Sequence, residues 1–372
     1  MKNIAVVFGG KSVEHDISII TGLQVVSTLK EKYNIIPIYI SRDGVWLTGD
    51  KLLLPDSFKN FCITKTWECY LKPHSKFLFI KKLLKTKIIK LDSIILCLHG
   101  VNGEDGSIQG FLDLTQIPYV SSGVLGSAVT MDKAVQKMLF LQNGIKTPKF
   151  LFFYENEYKT KKSKILEKIK KELGETVVVK PDRAGSSIGV KVCSSKKEIV
   201  EAIDLALYYD NKIIVEEKID DFREINIACF GRNTEINLSC LEEVILSGGL
   251  LSFEQKYIRA DETTRIVDVR LDEKTENEIK EIAQKAFYIN ELSGVCRMDF
   301  FVTKNGEVLL NEINSIPGSM ANYLFKDISF FEMLEKLMQY GVNRFVERQN
   351  LTYLYKSDAL LCFEKDYGKM KK

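Results

Sequence analysis

Long apolar runs near the start of the chain predict buried strands with a helix between them. Residues 3–8 and 35–40 are almost continuously hydrophobic, as is typical of parallel strands covered on both faces, and residues 17–30 have the mixed pattern of a helix. Another apolar run at 94–98 predicts a later strand. This order indicates a βαβ domain, and a Ser-Ser-Gly stretch suggests that the domain ends near residue 121.

After that point the pattern changes to shorter strands alternating with helices. Residues 126–143 predict one amphipathic helix, and short apolar strands with intervening helices follow. The fold class is therefore α/β combined with α+β. The predicted domains are 1–121, 122–217 and 218–345, followed by a tail of uncertain order at 346–372.

The segment 294–318 holds two strand-like runs on either side of an Asn305-Gly306 pair. This dipeptide favours a two-residue turn between antiparallel strands. With such a turn, paired residues have numbers that sum to 611, so Asp299 lies opposite Glu312. Two carboxylates in directly opposed positions repel each other unless a cation lies between them.

The same register sets Arg297 opposite Asn314, so that these two residues share one face with Asp299 and Glu312. Two carboxylates and an amide are hard oxygen ligands, which suit Mg²⁺ better than zinc. A magnesium site is the prediction. A solvent-facing polar hairpin is the alternative.

Composition narrows the class of protein. The chain has 372 residues, 45% of them hydrophobic and 28% charged, which is typical of a globular protein with two or three domains. A net charge of +3 gives no general basis for binding nucleic acid. Met1 leads almost directly into an apolar strand and not into a signal peptide, so we expect a cytoplasmic protein without membrane insertion.

Two compositional features have mainly structural interpretations. Eight cysteines occur without a CxxC pair, and we interpret them as reduced core thiols. Seven lysines and no acidic residue lie in the stretch 72–90, which is typical of a solvated strand or helix face. A membrane-surface or anionic-partner role is the alternative for that stretch.

Polar residues follow the first strand at a glycine turn, the usual place for sites in α/β domains. Glu14, His15 and Ser18 lie where the next helix begins. A helix N-terminus attracts carboxylate or phosphate groups, and Glu14 would hold an ammonium group. Equally, these are ordinary residues for a helix start.

A second glycine-rich loop follows His99 and contains Glu104 and Asp105. Both acids are candidates for catalysis. We favour a structural role, in which they order the loop or cap the helix that begins near Gly106.

A third loop follows Lys180, at the end of an apolar strand, and includes the glycines and serines of 185–189. Backbone N–H groups of such a loop bind phosphate oxygens, and the lysine supplies the compensating charge. The spacing is not that of a Walker A motif, and no helix follows directly. A tight hairpin is the alternative.

A fourth polar segment carries Lys256 and Tyr257 inside a long connection. A loop of this length would close as a lid over a reacting phosphate and exclude water.

Five segments, taken in chain order, resemble the D-alanine–D-alanine ligase family of ATP-grasp enzymes over residues 3–335. They are FGGKSVEHDIS, LHGVNGEDGSIQGFLDLTQIPYVSSGVLGSAVTMDK, VVVKPDRAGSSIGV, EQKY, and RMDFF with LNEINSIPGS. The resemblance implies an ATP-grasp fold with an N-terminal Rossmann-like βαβ domain. It also implies a homodimer.

The resemblance implies sites for ATP and for two Mg²⁺ ions, with Mn²⁺ able to substitute. The matching ATP positions are Lys133, Lys180, Ser187, Glu216, Glu217, Ile219, Glu224 and Lys256. The lysines would contact phosphates, 216–219 would face adenine, and Glu224 would hold the ribose. The matching metal ligands are Asp299, Glu312 and Asn314, in agreement with the hairpin face.

The resemblance further implies the reaction of two D-alanine molecules through a D-alanyl phosphate. The matching catalytic positions are Glu14, Ser186, Tyr257, Arg297 and Gly318, and the matching substrate positions are His15, Ser18, Tyr323 and Leu324. Glu14 would receive the ammonium of the first D-alanine. Arg297 and the Gly318 N–H would stabilise the tetrahedral oxyanion, while Ser186 and Tyr257 would link the closing loops.

The segment GSMANYLF departs from the family pattern, because Tyr323 stands where a serine is common. Leu324 keeps the apolar neighbour, and Tyr257 is the residue expected in dipeptide-forming members. D-alanine is therefore the favoured second substrate. A ligase of the same fold that joins D-alanine to D-serine, or joins another amino acid pair, is the alternative within the family.

Two other classes of protein fit the sequence less well. A nucleotide-binding regulatory protein without turnover is opposed by the presence of Arg297, Asp299, Glu312, Asn314 and Lys256. A dinucleotide-binding oxidoreductase lacks GxGxxG after the first strand and leaves the magnesium hairpin unexplained.

Overall fold

Three β-sheets organise the computed structural model, which describes residues 1–59, 65–246, 263–360 and 362–363. The strands are β1 (Asn3–Gly9), β2 (Asn34–Ile40), β3 (Trp46–Thr48), β4 (Trp67–Tyr70), β5 (Phe77–Lys81), β6 (Thr86–Lys90), β7 (Ser93–Leu96), β8 (Tyr119–Val120), β9 (Phe150–Tyr154), β10 (Val177–Pro181), β11 (Lys191–Cys193), β12 (Lys212–Glu217), β13 (Phe222–Arg232), β14 (Glu235–Leu246), β15 (Thr263–Val267), β16 (Ser293–Thr303) and β17 (Val308–Asn314).

Helices cover these sheets. The α-helices are α1 (His15–Leu29), α2 (Asp56–Lys59), α3 (Ser107–Asp113), α4 (Val124–Met131), α5 (Lys133–Gln142), α6 (Glu155–Leu173), α7 (Lys196–Ala206), α8 (Glu273–Ile289) and α9 (Phe330–Gln349). Two 3₁₀ helices lie at Asp50–Leu53 and Gly318–Leu324. Ser195 with Glu198, and Ser329 with Glu332, form capping boxes that fix the starts of α7 and α9.

The first sheet has the order β6-β5-β4-β3-β2-β1-β7-β8, with parallel pairing from β2 to β8 and antiparallel pairing from β2 to β6. Its central strands are buried on both faces, as their continuous apolar runs predict. The lysine-rich stretch 72–90 forms β5 and the mostly exposed edge strand β6. The prediction of a solvated strand is confirmed for this stretch.

The other two sheets are antiparallel. The second has the order β11-β10-β12-β9 and buries its core against α6 and α7. The third has the order β15-β14-β13-β16-β17 and packs one face on α8. Sheet membership changes after β8 and after β12, while the exact domain boundaries stay a prediction.

The prediction of one helix over 126–143 is wrong. Asp132 has an extended backbone (φ −88°, ψ 99°) and separates α4 from α5. Its carboxylate accepts a hydrogen bond from the Val135 N–H at 2.9 Å and caps the second helix. The apolar periodicity continues through the break, so the pattern alone did not reveal it.

Two further predictions concern the C-terminal tail and the cysteine thiols. Helix α9 continues to Gln349 and so enters the predicted tail. All seven cysteines in the described part are free thiols, five of them buried, as expected. No helix among the described residues is both long and apolar enough to cross a membrane.

Candidate active site

The polar face of the third sheet forms the floor of the site. Glu242, Asn226, Asp299 and Glu312 pair in one row across β14, β13, β16 and β17. Because directly paired residues project to the same side of a sheet, these four side chains share one face. The other face of the sheet is apolar and packs on α8.

The hairpin of β16 and β17 has the predicted pairing at the site but a different turn. Gly306 has a left-handed φ of +76° and closes a three-residue loop, in which Thr303 N–H bonds to Glu307 O at 3.0 Å. A bulge at Asn311 then restores Asp299 opposite Glu312 and Arg297 opposite Asn314. The two-residue turn was therefore wrong, although the pairing derived from it is confirmed.

Arg297 and Asp299 form a bidentate ion pair on this face. The Arg297 Nε and Nη2 atoms lie 2.7 and 2.8 Å from the two Asp299 oxygens. Asn314 Nδ2 donates to Asp299 Oδ2 at 3.3 Å. Burial opposes the charge of Arg297, but the pairing with Asp299 holds its pKa above the ordinary value.

Asp299, Glu312 and Asn314 fit the predicted Mg²⁺. Their oxygens share one face, and the two carboxylates already draw positive side chains, Arg297 to Asp299 and Lys133 to within 3.9 Å of Glu312. No group of three or more His, Cys, Asp or Glu side chains that could hold a metal occurs among the described residues. With Asn314, the predicted ligand set is two carboxylates and an amide, all oxygen donors that suit Mg²⁺.

Lys180 and Lys137 share the buried carboxylate of Glu216. Lys180 Nζ lies 2.6 Å from Glu216 Oε2, and Lys137 Nζ lies 3.1 Å from Glu216 Oε1 and 2.9 Å from Thr147 Oγ1. Burial lowers the pKa of Lys137 to about 8. For Lys180, burial is outweighed by Glu216 and Glu312, which raise its pKa.

The glycine loop after β10 approaches the start of α1. The Ser186 hydroxyl donates to the Glu14 carboxylate. A Cβ at Gly185 would lie 2.6 Å from Glu14 Oε2, so a larger residue there would displace the Glu14 carboxylate. Ser186 and Ser187 have left-handed φ values of 54° and 58°, a strained backbone of the kind found at functional loops.

The side chain of Lys133 binds the backbone of the same loop. It is the first residue of α5, and its Nζ donates to Ala184 O at 2.8 Å. Beneath it, Asp182 is fully buried and accepts from the Ala134 N–H at 2.9 Å. Lys212 lies 3.2 Å from Asp182 and also pairs with Asp132.

His15 and Ser18 hold the start of α1 against the sheet. His15 Nδ1 lies 2.6 Å from Gly10 O, Nε2 lies 3.2 Å from the Tyr39 hydroxyl, and burial lowers the pKa of the imidazole. The Ser18 hydroxyl donates to Cys97 O at 2.7 Å and accepts from Gly9 N–H at 2.8 Å. Their predicted contact with substrate stays a prediction.

Glu104 and Asp105 order their loop, as favoured from the sequence. Glu104 accepts from the N–H groups of Gly100 and Ile316, each at 2.8 Å. Asp105 accepts from Asn102 N–H at 2.8 Å and Ser107 N–H at 2.9 Å. Burial, with Glu14 nearby, raises the pKa of Glu104 to about 8.

The 3₁₀ helix Gly318–Leu324 closes one side of the site. Ser319, Met320 and Ala321 have left-handed φ values of 53°, 50° and 48°. Tyr323 reaches the polar face, where its hydroxyl donates to Glu242 Oε2 at 3.2 Å. Leu324 is fully buried in the core with Phe230, so its contact with substrate stays a prediction.

Glu217 and Glu224, two further predicted ATP positions, lie on β12 and β13. Glu217 is half-buried and accepts from Lys149 N–H at 2.7 Å, and Ile219 follows in the connection to β13. Glu224 lines the cavity described next. Lys256 and Tyr257 lie outside the described residues.

One cavity brings most of the predicted catalytic and metal positions together. It is lined by Glu14, Ser186, Glu224, Arg297, Glu312, Asn314 and Gly318, from all three sheets and their loops. An adjoining space is bordered by Lys133 as well as Glu14 and Glu312. The carboxylates of Glu14 and Glu312 and the amino group of Lys133 thus lie side by side.

Sequence reasoning missed three residues here. Lys137 is one helical turn after Lys133, and that spacing was the available signal. Glu242 and Arg265 were not singled out, because nothing local in the sequence links them. They meet only through the pairing of β14 with β15.

Family models match most of the chain. The model for the D-ala D-ala ligase N-terminus matches residues 3–122, and that for the D-ala D-ala ligase C-terminus matches residues 139–343. The chain belongs to the D-alanine–D-alanine ligase family. Membership of this ligase family implies the use of ATP.

Individual members of the D-alanine–D-alanine ligase family are similar in sequence to this chain over nearly their full length. The D-alanine–D-alanine ligase of Caldicellulosiruptor bescii is 38% identical and covers 94% of this chain and 98% of its own. That of Bacillus pumilus is 37% identical, with coverage of 94% and 98%.

Solved structures of the D-alanine–D-alanine ligase family have the same architecture. The enzyme from Coxiella burnetii superposes with a TM-score of 0.79 at 27% identity, covering 98% of this chain and 99% of its own. The VanG D-Ala:D-Ser ligase from Enterococcus faecalis gives 0.79 at 32% identity, covering 91% and 99%. The expected ATP-grasp fold class is confirmed.

Proposed function

We propose that this chain joins two D-alanine molecules into D-alanyl-D-alanine, converting ATP to ADP and phosphate, for peptidoglycan precursors. The observation that carries the proposal is the shared cavity of Glu14, Ser186, Arg297 and Gly318 beside the carboxylate pair of the hairpin. Family membership supports the same activity.

In the first step, the carboxylate of one D-alanine attacks the γ-phosphate of ATP and gives D-alanyl phosphate and ADP. Glu14 receives the ammonium of this D-alanine, which turns its carboxylate toward the lysines. Lys133 and Lys180 stabilise the phosphate charge. Bound Mg²⁺, held by Asp299, Glu312 and Asn314, would neutralise phosphate oxygens as a Lewis acid.

In the second step, the amine of the other D-alanine attacks the acyl carbon. Arg297 and the Gly318 N–H stabilise the tetrahedral oxyanion, which collapses to the peptide bond and releases phosphate. The Ser186 contact with Glu14 holds the glycine loop over the reacting groups. Exclusion of water by this loop protects the acyl phosphate from hydrolysis.

A D-alanine:D-serine ligase is the second candidate. It is favoured by the departure at Tyr323 and by the likeness to the solved VanG D-Ala:D-Ser ligase. We further propose a cytoplasmic homodimer with the domains 1–121, 122–217 and 218–345.

The test is phosphate release from ATP by purified protein with no amino acid, D-alanine, L-alanine, or D-alanine mixed with D-serine. We expect release that requires Mg²⁺ and D-alanine, with D-alanyl-D-alanine identified by mass. A product found only with the mixed pair would favour the second candidate. ATP binding without any release would contradict both and favour a regulatory protein.

A further inference from the structure

Arg265 lies on the wall of the same cavity, although no step of the proposed reaction uses it. It belongs to the edge strand β15, where it pairs with Val244 of β14. Its side chain is 37% exposed. The guanidinium therefore lies at the boundary between the sheet and the space for substrates.

Two side chains fix the position of this guanidinium. Arg265 Nη1 lies 3.3 Å from Glu242 Oε1 and 3.1 Å from the Tyr323 hydroxyl. The Tyr323 hydroxyl in turn donates to Glu242 Oε2 at 3.2 Å, and Asn226 Nδ2 donates to the same oxygen at 3.1 Å. The three residues form a closed triangle of contacts.

Glu242 needs these donors, because its side chain is completely buried. A buried carboxylate is costly unless it is paired and hydrogen-bonded. Burial and Glu242 also raise the pKa of Tyr323, which keeps the hydroxyl protonated as a donor. Glu242 and Tyr323 therefore act on Arg265 as a fixed support.

The other guanidinium nitrogens have no hydrogen-bond partner among the described residues. Both contacts of Arg265 use Nη1, and no hydrogen bond of Nη2 or Nε is found within the described part of the chain. A planar guanidinium with two donor nitrogens left suits a carboxylate. By contrast, Arg297 holds Asp299, and Lys180 holds Glu216.

The two substrates differ in their need for such a cation. The carboxylate of the first D-alanine is phosphorylated and then becomes the peptide carbonyl. The carboxylate of the second, the acceptor, stays ionised through both steps. Inside a cavity whose wall also carries Glu14, Glu224 and Glu312, it needs a positive partner.

We propose that Arg265 binds the carboxylate of the acceptor amino acid, and that Glu242 and Tyr323 position it. This inference rests on the proposed function and specifies its acceptor as an amino acid with a free α-carboxylate. It also gives Tyr323 a role: the tyrosine in place of the common serine acts through Arg265.

The test uses D-alaninamide, which has no carboxylate to be phosphorylated and so serves only as acceptor. Purified protein receives ATP, Mg²⁺ and equal concentrations of D-alanine and D-alaninamide, and the two products are quantified by mass. The wild-type chain should favour D-alanyl-D-alanine. In Arg265→Gln we expect the product ratio to fall on the order of 10- to 100-fold, as for loss of a charge-assisted hydrogen bond.

Tyr323→Phe should shift the ratio in the same direction by a smaller factor, and Arg265→Lys should restore part of it. The matched control is Arg223→Gln, which breaks a bidentate pair with Glu243 on the neighbouring strands, outside the cavity lining. Its ratio should equal that of the wild type.

The outcomes separate this inference from the proposed function. An unchanged ratio in an active, folded Arg265→Gln variant would overturn the role of Arg265 and leave the ligase activity standing. Absence of any D-alanyl product from the wild type would overturn the proposed function, and the acceptor role with it. Folding is checked by circular dichroism.

Discussion

The charge of Glu312 should matter strongly for catalysis but little for folding. Its side chain is 23% exposed on the polar face of β17. Glu312→Gln keeps the shape but removes one charge from the predicted metal and phosphate site. We expect turnover to fall on the order of 100- to 1,000-fold, with little change in thermal unfolding.

The matched control is Glu307→Gln in the same hairpin, where an exposed glutamate pairs with Lys146 at 2.7 Å. Phosphate release and thermal unfolding are measured for both variants. Normal turnover in Glu312→Gln would remove this residue from the site.

Asp182 should make stability depend on pH. Burial, reinforced by neighbouring Asp132, raises its pKa to about 7 from the ordinary value of 3.8. Between pH 4 and 7 the folded chain thus keeps a proton that the unfolded chain releases. The free energy of unfolding should fall as the pH rises through this window, on the order of 1–3 kcal/mol for this group.

Asp182→Asn replaces the protonated carboxyl group with an uncharged amide of similar shape and should flatten this part of the pH profile. The measurement is the urea midpoint at pH 5, 6, 7 and 8. Asp268→Asn is the control, because Lys326 holds the pKa of that half-buried aspartate low, outside this window. Equal slopes in the wild type and Asp182→Asn would contradict the prediction.

At the residue scale, the sequence allowed the position of a side chain to be predicted where its interaction partners lie in the same hairpin. The opposition of Asp299 and Glu312 was predicted from the pairing of two neighbouring strands within one hairpin. The pairing of Lys180 with Glu216, 36 residues later, depends on how β10 meets β12. Such contacts need the sheet order, which a single sequence does not supply.

At the scale of elements, the β16–β17 hairpin shows why a correct pairing came from an incorrect turn. The three-residue loop shifts the register by one, so that Val308 and Leu310 face the core. The bulge at Asn311 shifts it back before Glu312. Burial of the leucine outweighs the preference of Asn-Gly for a two-residue turn.

The bulge leads to a prediction about deletions. Removing Asn311 should keep Leu310 in the core and Glu312 on the polar face, because the bulged residue is the unpaired one. Removing Ile313 should turn Asn314 toward the core. We expect the first deletion to remain folded with measurable phosphate release, and the second to lose both.

Expression as monomeric or dimeric soluble protein, circular dichroism and phosphate release distinguish the two deletions. Equal damage from both would mean that the bulge itself shapes the site. By contrast, β1, α1, β2 and β7 followed from apolar runs and periodicity, whereas the short strands β3 and β4 did not. At Asp132, capping competes with periodicity.

At the scale of the whole molecule, the site exists only where three sheets meet. Glu14 follows the first sheet, Ser186 the second, and Arg297 belongs to the third. A nucleotide bound between the second and third sheets should therefore stabilise the assembled fold. At 100 times its dissociation constant, ADP with Mg²⁺ should contribute about 2.7 kcal/mol and raise Tm by roughly 3–5 °C.

Lys180→Met should reduce this ligand-induced rise, because the phosphate partner is lost. The relevant quantity is the shift with ligand and not Tm itself, since Lys180 also pairs with Glu216. Lys191→Met, on the exposed part of β11, is the control and should keep the full shift. An undiminished rise in Lys180→Met would argue against nucleotide binding at this lysine.

The left-handed turn at Ser319, Met320 and Ala321 is a backbone conformation that D-amino acids prefer. L-residues resist this conformation by roughly 1–2 kcal/mol each, whereas their mirror images adopt it readily. The segment is thus a short stretch of the opposite hand within the chain. Semisynthetic replacement of half-buried Ser319 by its D enantiomer should raise Tm, and an unchanged Tm would show that packing, not handedness, sets the turn.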